Sequence, residues 1–396
     1  MPHVVTLNAG SSSIKFALFA LGGAEPGAVA IGLAEKIGTA RHIKVHDAAG
    51  LMTHEETWEQ AGDGFHADAL RRVLAWRRAA FPKAKVIAAG HRVVHGGLRY
   101  ETPTLVTDEV LGYLRTLIPL APLHEPHNIA GILAAREAWP HVQQVACFDT
   151  AFHRAHPFVN DTFALPRALY DEGVRRYGFH GLSYEYVTGR LAEIAPLHAA
   201  GRVVVAHLGN GASMCAIRDG HSIASSMGFT ALDGLPMGTR CGQLDPGVVL
   251  YLMQEKGMTA QAISDMLYKD SGLKGLSGVS GDMRELEASD KPGAREAIEY
   301  FVFRIRRELG GLAAALKGLD AVVFCGGIGE NSALVRERVL EGMEWIGIDL
   351  DRAANRAGEQ VISSECSRVR VFVIPTNEEA MIARHTRDII ARHSAG

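Results

Sequence analysis

The sequence lacks the features of a membrane-inserted or secreted protein. No apolar run in its 396 residues approaches the roughly 20 residues that a bilayer-spanning helix needs. Its first residues, "MPHVVTLNAG", contain no basic segment followed by a hydrophobic core and a small-residue cleavage site. We therefore expect no membrane partner, no signal peptide and a cytoplasmic location.

Cysteine is scarce and scattered. The chain has an odd number of cysteines, and no two of them are spaced as C-x-x-C. This pattern argues against both a disulfide framework and a structural zinc site. We expect thiols at all of them, namely Cys147, Cys215, Cys241, Cys325 and Cys366.

Neither sign of charge dominates the composition. The 41 basic and 44 acidic side chains give a formal net charge of -3, and neither forms a long block. Nucleic acid is therefore not an expected partner. The length exceeds one ordinary hydrophobic core and predicts two or three domains.

Short apolar runs alternate with segments of helical length. The runs are too short for helices and end in turn residues, which predicts buried strands at 4–7, 86–89, 145–148, 203–206 and 322–325. The predicted helices lie at 67–80, 128–139, 184–194, 247–256 and 294–316. This alternation is typical of an α/β protein with largely buried sheets. The best candidate for a domain boundary is the stretch after Asp149.

One internal similarity suggests two halves of one design. At an offset of 200 residues, "VVTLNAGSSSIKFA" and "VVAHLGNGASMCAI" both place a small-residue turn with an asparagine between two apolar strands. Few residues are identical, and hairpins are common, so coincidence remains the alternative to duplication.

Three glycine-rich turns follow predicted strands. The first runs from Asn8 through Gly10 and Ser11 to Ser13, with Lys15 just beyond, and the others read "HLGNGAS" and "CGGIGENS". Such turns expose backbone N–H groups to a phosphate chain, although each alone could be a tight turn. In the third turn, Asn331 and Ser332 could also cap a following helix. The Walker A pattern is absent. Three such turns together favour a nucleotide cradle.

Cationic and imidazole side chains stand beside these turns. Arg240 lies between glycines, where a guanidinium can meet an oxyanion with a fork of donors. For a single histidine such as His180, a hydrogen-bonded core residue is the alternative to a site residue. Asp149 ends a predicted strand, where α/β sheets bind ligands, but it could instead cap a helix.

The chain resembles the acetate kinase family, a branch of the acetate and sugar kinase, Hsp70 and actin superfamily. The motifs that carry the resemblance occur in family order along nearly the whole chain: "LNAGSSSIKF", "HRVVHGG", "PLHEPHN", "FDTAFH", "RRYGFHG", "HLGNGAS", "MGTRCGQLDPG", "SGDMRE", "GGIGENS" and "IPTNEEAMIARHT". Glu125, His127, Tyr184 and Cys241 depart from the family pattern.

The resemblance implies an α/β fold with two actin-like, ribonuclease H-like lobes. Each lobe would have a mixed sheet flanked by helices, and ATP and substrate would bind in the interdomain cleft. The first lobe would span residues 1–150 and be joined by the C-terminal helix at about 381–396. The second, at 151–380, would carry the main nucleotide-binding turns. Family members are homodimers.

The resemblance also implies reversible transfer of a phosphoryl group from ATP to acetate, which gives acetyl phosphate and ADP with Mg²⁺, or alternatively Mn²⁺. Arg92 would bind acetate, and the catalytic residues would be Asp149, His180 and Arg240. Asn8 and Glu378 would hold the metal. The residues around ATP would be Lys15, His207, Leu208, Gly209, Asn210, Gly211, Asp282, Met283, Arg284, Gly327, Ile328, Gly329, Glu330 and Asn331.

The identity of the acid is the open part of this prediction. A pocket separates acetate from propionate by one methylene, which is worth only about 1–3 kcal/mol. Propionate kinase is therefore an alternative, and butyrate kinase a weaker one. Candidate pocket walls are Val94, Leu123, Phe179 and Pro236. An ATP-driven, actin-like switch protein without kinase activity is an alternative of another class.

Overall fold

The computed structural model describes residues 1–10, 13–37, 40–59 and 65–394. Ser11 and Ser12 of the first glycine-rich turn, and residues 395–396 of the predicted C-terminal helix, lie outside the described residues. The chain divides into two compact units, Met1–Ala151 with Asn377–Gly396, and Phe152–Thr376. Each unit contains one mixed sheet flanked by helices, so the predicted α/β class is confirmed.

The first unit is built on an eight-stranded sheet. Its strands are β1 (Pro2–Ala9), β2 (Ser13–Ala20), β3 (Gly27–Ile37), β4 (Ala40–Asp47), β5 (Met52–Trp58), β6 (Lys85–Val93), β7 (Thr104–Leu105) and β8 (Gln143–Phe148). They are ordered β5-β4-β3-β2-β1-β6-β8-β7. Strands β1 to β5 form an antiparallel meander, whereas β6 is parallel to β1 and β8 is parallel to β6.

Helices cover both faces of this sheet. They are α1 (Phe65–Ala80), α2 (Asp108–Thr116), α3 (Glu125–Ala138) and, from the end of the chain, α16 (Glu378–Ser394), with a 3₁₀ turn at Ile118–Leu120. Alternate residues of β1, such as Val5 and Leu7, join Leu70 and Val73 of α1 in one buried cluster. This alternation follows from the two-residue period of a strand.

Helix α16 packs closely on β6 because Gly90 has no side chain. A Cβ atom at Gly90 would lie 2.1 Å from Thr386 Oγ1 and 2.6 Å from Ile382 Cγ2 of α16. Both distances are far below van der Waals contact, so the helix could not approach the strand so closely with any other residue there. Glu378 begins this helix, and Gly90 therefore helps to set its position.

The second unit has a five-stranded sheet. Its strands are β9 (Arg202–Leu208), β10 (Ala212–Arg218), β11 (His221–Ser225), β12 (Ala321–Cys325) and β13 (Arg370–Val373). They are ordered β11-β10-β9-β12-β13. The first three are antiparallel, and β12 and β13 run parallel to β9. Nearly every residue of β9, β10 and β12 is buried, as the apolar runs predict.

Twelve helices belong to the described part of the second unit. They are α4 (Phe158–Asp161), α5 (Arg167–Asp171), α6 (Gly181–Ile194), α7 (Pro196–Ala199), α8 (Pro246–Gln254), α9 (Ala260–Lys269), α10 (Gly272–Ser277), α11 (Met283–Glu287), α12 (Pro292–Leu316), α13 (Gly326–Asn331), α14 (Ala333–Leu340) and α15 (Arg352–Ala357). Short 3₁₀ segments occur at Ala151–His153 and Glu344–Ile346.

The two sheets share one connectivity. The central strands β3-β2-β1-β6-β8 of the first unit follow the same order and directions as β11-β10-β9-β12-β13 of the second. The two hairpins noted at an offset of 200 residues, β1–β2 and β9–β10, occupy the same place in this scheme. An internal duplication would produce this arrangement.

The predicted strands and helices coincide with observed ones, but two features differ. The hairpin strands β3 to β5 were not predicted, because β5 ("MTHEETW") is largely polar and exposed at the sheet edge. The third glycine-rich segment is the short helix α13 rather than a turn. Ser332 caps the next helix, with Oγ accepting from Val335 N at 3.0 Å, whereas Asn331 bonds to Gly327 O instead.

Neither a disulfide nor a helix able to span a membrane occurs among the described residues. None of the five cysteines, all of which are among the described residues, forms a disulfide. Of the helices in the described ranges, none combines the length and apolar character that crossing a bilayer demands.

We expect Gly90→Ala to destabilise the first unit by about 1–3 kcal/mol, because the added methyl group must displace α16 from β6. Denaturant unfolding would measure the change. Gly189→Ala, inside α6 with no heavy atom within 4 Å of the added Cβ, is the matched control. It should stabilise by about 0.5–1 kcal/mol, as alanine usually does in a helix. Equal effects of both substitutions would contradict the close-packing interpretation.

Candidate active site

A cavity of about 470 Å³ opens in the second unit where the predicted glycine-rich segments meet. Its size is within the range of small-molecule sites. It is lined by Gly209, Asn210, Gly281, Asp282, Met283, Arg284, Glu287, Gly327, Ile328, Asn331 and Ser332. The hairpin turn after β9, the start of α11 and the helix after β12 thus form one concave surface.

Two glycines allow these segments to approach one another. Gly326 begins α13 with a φ of 74°, and a Cβ atom there would lie 2.8 Å from Leu208 O. A side chain would therefore be both strained and in collision. At the hairpin turn, Gly209 N donates to Gly211 O at 3.0 Å, which closes the loop between β9 and β10.

A buried arginine fixes the cavity wall formed by α13. The Arg336 guanidinium donates to Gly329 O at 2.9 Å and to Glu330 O at 2.8 Å, near the C-terminal end of that helix. It also donates to Asn355 Oδ1 at 2.8 Å in α15. Because Arg336 is 1% exposed, these bonds are formed away from water and hold the helix in one position.

Two stacked imidazoles stand beside the hairpin turn. The rings of His180 and His207 are 4.4 Å apart between centroids, with an interplanar angle of 23°. His180 Nδ1 lies 2.8 Å from Ser213 Oγ, and His207 Nδ1 lies 2.8 Å from Ser183 Oγ. Each ring is thus anchored at Nδ1 by a serine hydroxyl.

Arg240 and His180 converge at Gly211. A Cβ atom on Gly211 would lie 2.8 Å from Arg240 Nη2 and 3.2 Å from His180 Nε2. The absence of a side chain there leaves both nitrogens room at the turn. Arg240 is positioned by a hydrogen bond from Nη1 to Ala231 O at 2.8 Å. The structure therefore brings together the two residues of the second unit that were predicted as catalytic.

In the first unit, Arg92 is the centre of a polar cluster. Its Nη2 donates to Asp149 Oδ2 at 2.6 Å, its Nε donates to the same oxygen at 3.0 Å, and its Nη1 donates to Asn8 Oδ1 at 3.2 Å. Glu378 Oε2 is 3.7 Å from Arg92 Nε and 3.5 Å from Asn8 Nδ2. Arg92, predicted to bind the acid, thus forms one group with Asp149, predicted as catalytic, and with the two residues predicted to hold the metal, Asn8 and Glu378.

Burial and charge act in opposite directions in this cluster. Burial raises the pKa of Asp149 to about 6, although Arg92 lowers it and Glu378 raises it further. Burial alone would lower the pKa of Arg92, but Asp149 and Glu378 raise it well above its ordinary value. The guanidinium is therefore always charged. Of its five N–H groups, one on each terminal nitrogen makes no hydrogen bond within the described ranges.

Lys15 lies next to this cluster. It is exposed on β2, directly across from Asn8 in the antiparallel register of β1 and β2. Burial raises the pKa of the neighbouring Glu379, and the positive charges of Lys15 and Arg92 lower it. Lys15 therefore adds positive charge to the edge where Asn8 and Glu378 meet.

Some predicted nucleotide residues do not line the cavity in the second unit. His207, Leu208, Gly211, Gly329 and Glu330 lie beside it. The Leu208 side chain is fully buried. The Glu330 carboxylate accepts hydrogen bonds from Gly326 N at 2.8 Å and Thr376 N at 3.1 Å, which gives it a structural role.

Three cavity residues were absent from the sequence prediction: Gly281, Glu287 and Ser332. Gly281 lies within the "SGDMRE" motif, and Ser332 was noted only as a helix cap. Glu287 accepts a hydrogen bond from Ser332 Oγ at 2.5 Å. No local sequence signal marks Glu287, because it reaches the cavity only through the packing of α11 against its neighbours.

Sequence reasoning also missed the environment of Glu125. This residue begins α3 and is fully buried, and burial outweighs the hydrogen bond that the backbone N–H of His95 offers to its carboxylate. Burial raises the pKa of Glu125 to about 8. From the same helix, Asn128 accepts from Val94 N and donates to Ala9 O, both at 2.9 Å. Helix α3 thus links the ends of β1 and β6, which carry Asn8 and Arg92.

Comparisons with known proteins agree over the whole chain. The model of the acetokinase family matches residues 3–384. An acetate kinase from Methylocella silvestris is 74% identical, and the match covers 99% of each chain. A crystal structure of Porphyromonas gingivalis acetate kinase is 38% identical, with a TM-score of 0.88 and coverage of 98% of this chain and 100% of that one. A propionate kinase structure from Francisella tularensis is 37% identical, with a TM-score of 0.90 and the same coverage.

We expect Glu125 to make stability fall as the pH rises. Because its folded pKa of about 8 exceeds the value in an unfolded chain, the folded state binds the extra proton between about pH 4.5 and 8. Stability is therefore lost across that window, by up to about 1.4 kcal/mol per pH unit. Glu125→Gln should remove this dependence, so its stability relative to the parent should be higher at pH 8.5 than at pH 5.5.

Urea unfolding at the two pH values would measure this difference. Glu137→Gln, at an exposed position of the same helix, is the matched control. Its free energy of unfolding should differ from that of the parent by the same amount at both pH values. If the difference in the free energy of unfolding between Glu125→Gln and the parent did not change with pH, the raised pKa of Glu125 would be contradicted.

Proposed function

Because this chain belongs to the acetokinase family, we propose that it catalyses the reversible transfer of a phosphoryl group from ATP to acetate, which yields acetyl phosphate and ADP. The observation that carries this function is the 74% identity with an acetate kinase over nearly the full length of both chains. The chain is thus a phosphotransferase whose acceptor is a carboxylate.

The chemistry explains why the candidate residues are mainly cationic. The acid is ionised at neutral pH, since carboxyl groups of this kind have a pKa of roughly 4 to 5, and no general base is needed. The activation free energy arises largely from the repulsion between the anionic acid and the anionic phosphates of ATP. Catalysis therefore requires positive charge, alignment of the two reactants and exclusion of water.

We propose that the second unit binds the nucleotide. Its cavity presents backbone from the turn at Gly209 and Asn210 and from α13, next to the polar side chain of Asp282. Arg240 and His180 stand at Gly211, one residue beyond the turn, and are placed to stabilise negative charge on a transferring phosphoryl group. We take the two compact units as the predicted lobes, with the second running from Phe152 to Thr376.

We propose that the first unit binds the acid through Arg92. Its guanidinium is fixed by Asp149 and Asn8 and retains one N–H on each terminal nitrogen for a carboxylate. Asp149 has no proton-transfer task in this reaction. Its proposed role is to hold Arg92 in one orientation and to supply a negative charge that attracts a metal ion.

The same cluster fits Mg²⁺, which we propose as the metal. Asn8, Asp149 and Glu378 offer the oxygen ligands that Mg²⁺ prefers, and two carboxylates with substrate phosphates are a usual set for this ion. Glu378 raises the pKa of Asp149 by repulsion, so a cation would relieve an excess of negative charge here. When bound, Mg²⁺ would neutralise charge on the phosphates, and Mn²⁺ could replace it.

We also propose that the protein is a homodimer. Helix α8 ("PGVVLYLMQ") has an almost wholly apolar sequence, yet none of its residues is buried. Leu250, Tyr251 and Met253 are 54%, 49% and 46% exposed. An apolar surface of this kind marks an interaction site, and a second copy of the chain is the proposed occupant.

We propose the cytoplasm as the location of the protein, because the proposed reaction uses ATP.

The function is tested by incubating the protein with ATP, Mg²⁺ and one short acid at a time, then trapping acyl phosphate with hydroxylamine. We expect hydroxamate with acetate at the highest kcat/KM. Propionate is the main competitor, since a propionate kinase shares the fold with a TM-score of 0.90. A higher kcat/KM for propionate would reassign the substrate. Release of ADP without hydroxamate from any acid would instead favour the ATP-driven switch.

We expect Arg240→Ala to lower kcat by about 10³- to 10⁵-fold, by analogy with arginines that stabilise phosphoryl transition states. Arg240→Lys should recover only part of this loss, because an ammonium keeps the charge but not the fork of donors. The hydroxamate assay would measure kcat, and ATP binding would show that the cavity is intact. Arg190→Ala, at an exposed helix position, is the control. Near-normal turnover of Arg240→Ala would exclude the proposed role.

A further inference from the structure

Ser213 lies between a buried phenol and the imidazole of His180. Its Oγ is 2.5 Å from Tyr184 Oη and 2.8 Å from His180 Nδ1. Ser213 and Tyr184 are fully buried, and His180 is 9% exposed. Water therefore does not compete for these hydrogen bonds, and each proton in the chain of three residues needs a protein acceptor.

The backbone holds the same residues in place. His180 precedes α6 with a φ of 59°, a left-handed conformation that is rare for a residue with a side chain. Tyr184, one helical turn later, donates its backbone N–H to His180 O at 3.0 Å. Tyr184 is thus linked to His180 in two ways. Its backbone N–H bonds to His180 directly, and its side chain is connected to the imidazole through Ser213.

The direction of the hydrogen bonds follows from the supply of acceptors. Within the described residues, Ser213 Oγ is the hydrogen-bond partner of Tyr184 Oη, and the phenol remains protonated because burial raises the pKa of Tyr184. Tyr184 therefore donates to Ser213. If His180 Nδ1–H also donated to Ser213, the serine proton would be left buried without an acceptor, at a cost of about 1–3 kcal/mol. That cost is avoided when Ser213 donates to Nδ1.

We propose that Tyr184 is a positioning residue that sets the tautomer of His180. In this assignment Tyr184 donates to Ser213, Ser213 donates to His180 Nδ1, and the proton of the neutral imidazole resides on Nε2. That atom is the one that faces Gly211 beside Arg240. It is thus a hydrogen-bond donor toward the place where phosphoryl charge is expected. The functional part of this inference rests on the proposed kinase activity.

The tautomer can be read directly by nitrogen NMR of the protein labelled with ¹⁵N-histidine. Among the 18 histidines, the His180 signals are those that disappear in His180→Asn. We expect a protonated Nε2 and an unprotonated, hydrogen-bonded Nδ1 in the parent protein. Observation of a protonated Nδ1 with an unprotonated Nε2 would overturn the proposal without any variant of Tyr184.

The functional consequence is tested with Tyr184→Phe, which removes only the hydroxyl group. The phenol strengthens the hydrogen bond from Ser213 to Nδ1 by polarising the serine hydroxyl, so its loss weakens that bond and we expect a larger fraction of the Nδ1–H form in the spectrum. The kcat for acyl phosphate should fall roughly 10- to 100-fold, somewhat less than when a transition-state donor is deleted outright. The KM values for acid and ATP should change little, since the nucleotide cavity is untouched.

Tyr186→Phe is the matched control. Tyr186 lies two residues along α6, packs against the same core, and makes no hydrogen bond in the described ranges. Its loss should leave both the spectrum and kcat unchanged. A Tyr184→Phe protein with the parent tautomer and the parent kcat would refute the positioning role. A parent protein without acyl phosphate activity would refute the proposed function, whereas the tautomer measurement would still decide the relay.

Discussion

Repulsion between a carboxylate and a polyphosphate is the constraint that this structure has to meet. In the first unit the group proposed to meet it is the guanidinium of Arg92, which donates to Asp149 from two of its nitrogens. With Glu378 also near, the cluster has more carboxylates than guanidinium groups. A second anion can bind there only if further positive charge is supplied. The cluster therefore fits a reaction that uses a cation together with an anionic substrate.

Under the proposed function, the second unit meets the same constraint with backbone N–H groups, imidazoles and the guanidinium of Arg240. Turns without side chains bring backbone close to the cavity, and the buried Arg336 fixes the helix that forms one wall. His180 and His207 are each anchored at Nδ1 by a serine, which fixes the direction in which each Nε2 points. Such anchoring places donors before the reaction begins, which is the most effective form of electrostatic stabilisation in a site that excludes water.

The shared sheet connectivity explains where the candidate site residues occur. Asn8 is near the end of β1, Arg92 near the end of β6, and Asp149 directly after β8. In the second unit, the hairpin turn follows β9, helix α13 follows β12, and Thr376 comes shortly after β13. These are corresponding strands of the two sheets. The candidate residues of both units therefore lie at the carboxyl ends of parallel strands, where α/β sheets generally bind ligands.

The sequence alone was sufficient for the buried central strands, the long helices and most of the residues that line the cavity. The apolar runs predicted the buried strands, because a strand covered on both faces must be apolar throughout. Glycine marked the start of α13, because a side chain at Gly326 would be strained and would collide with Leu208 O. Only the tertiary structure decided which groups meet. Arg92 finds Asp149 57 residues away, and His180 finds Ser213 33 residues away. The protonation of Glu125 likewise depends on burial by distant segments. Hydrogen bonds and desolvation depend on distances in space, whereas local sequence patterns encode only the period and ends of single elements.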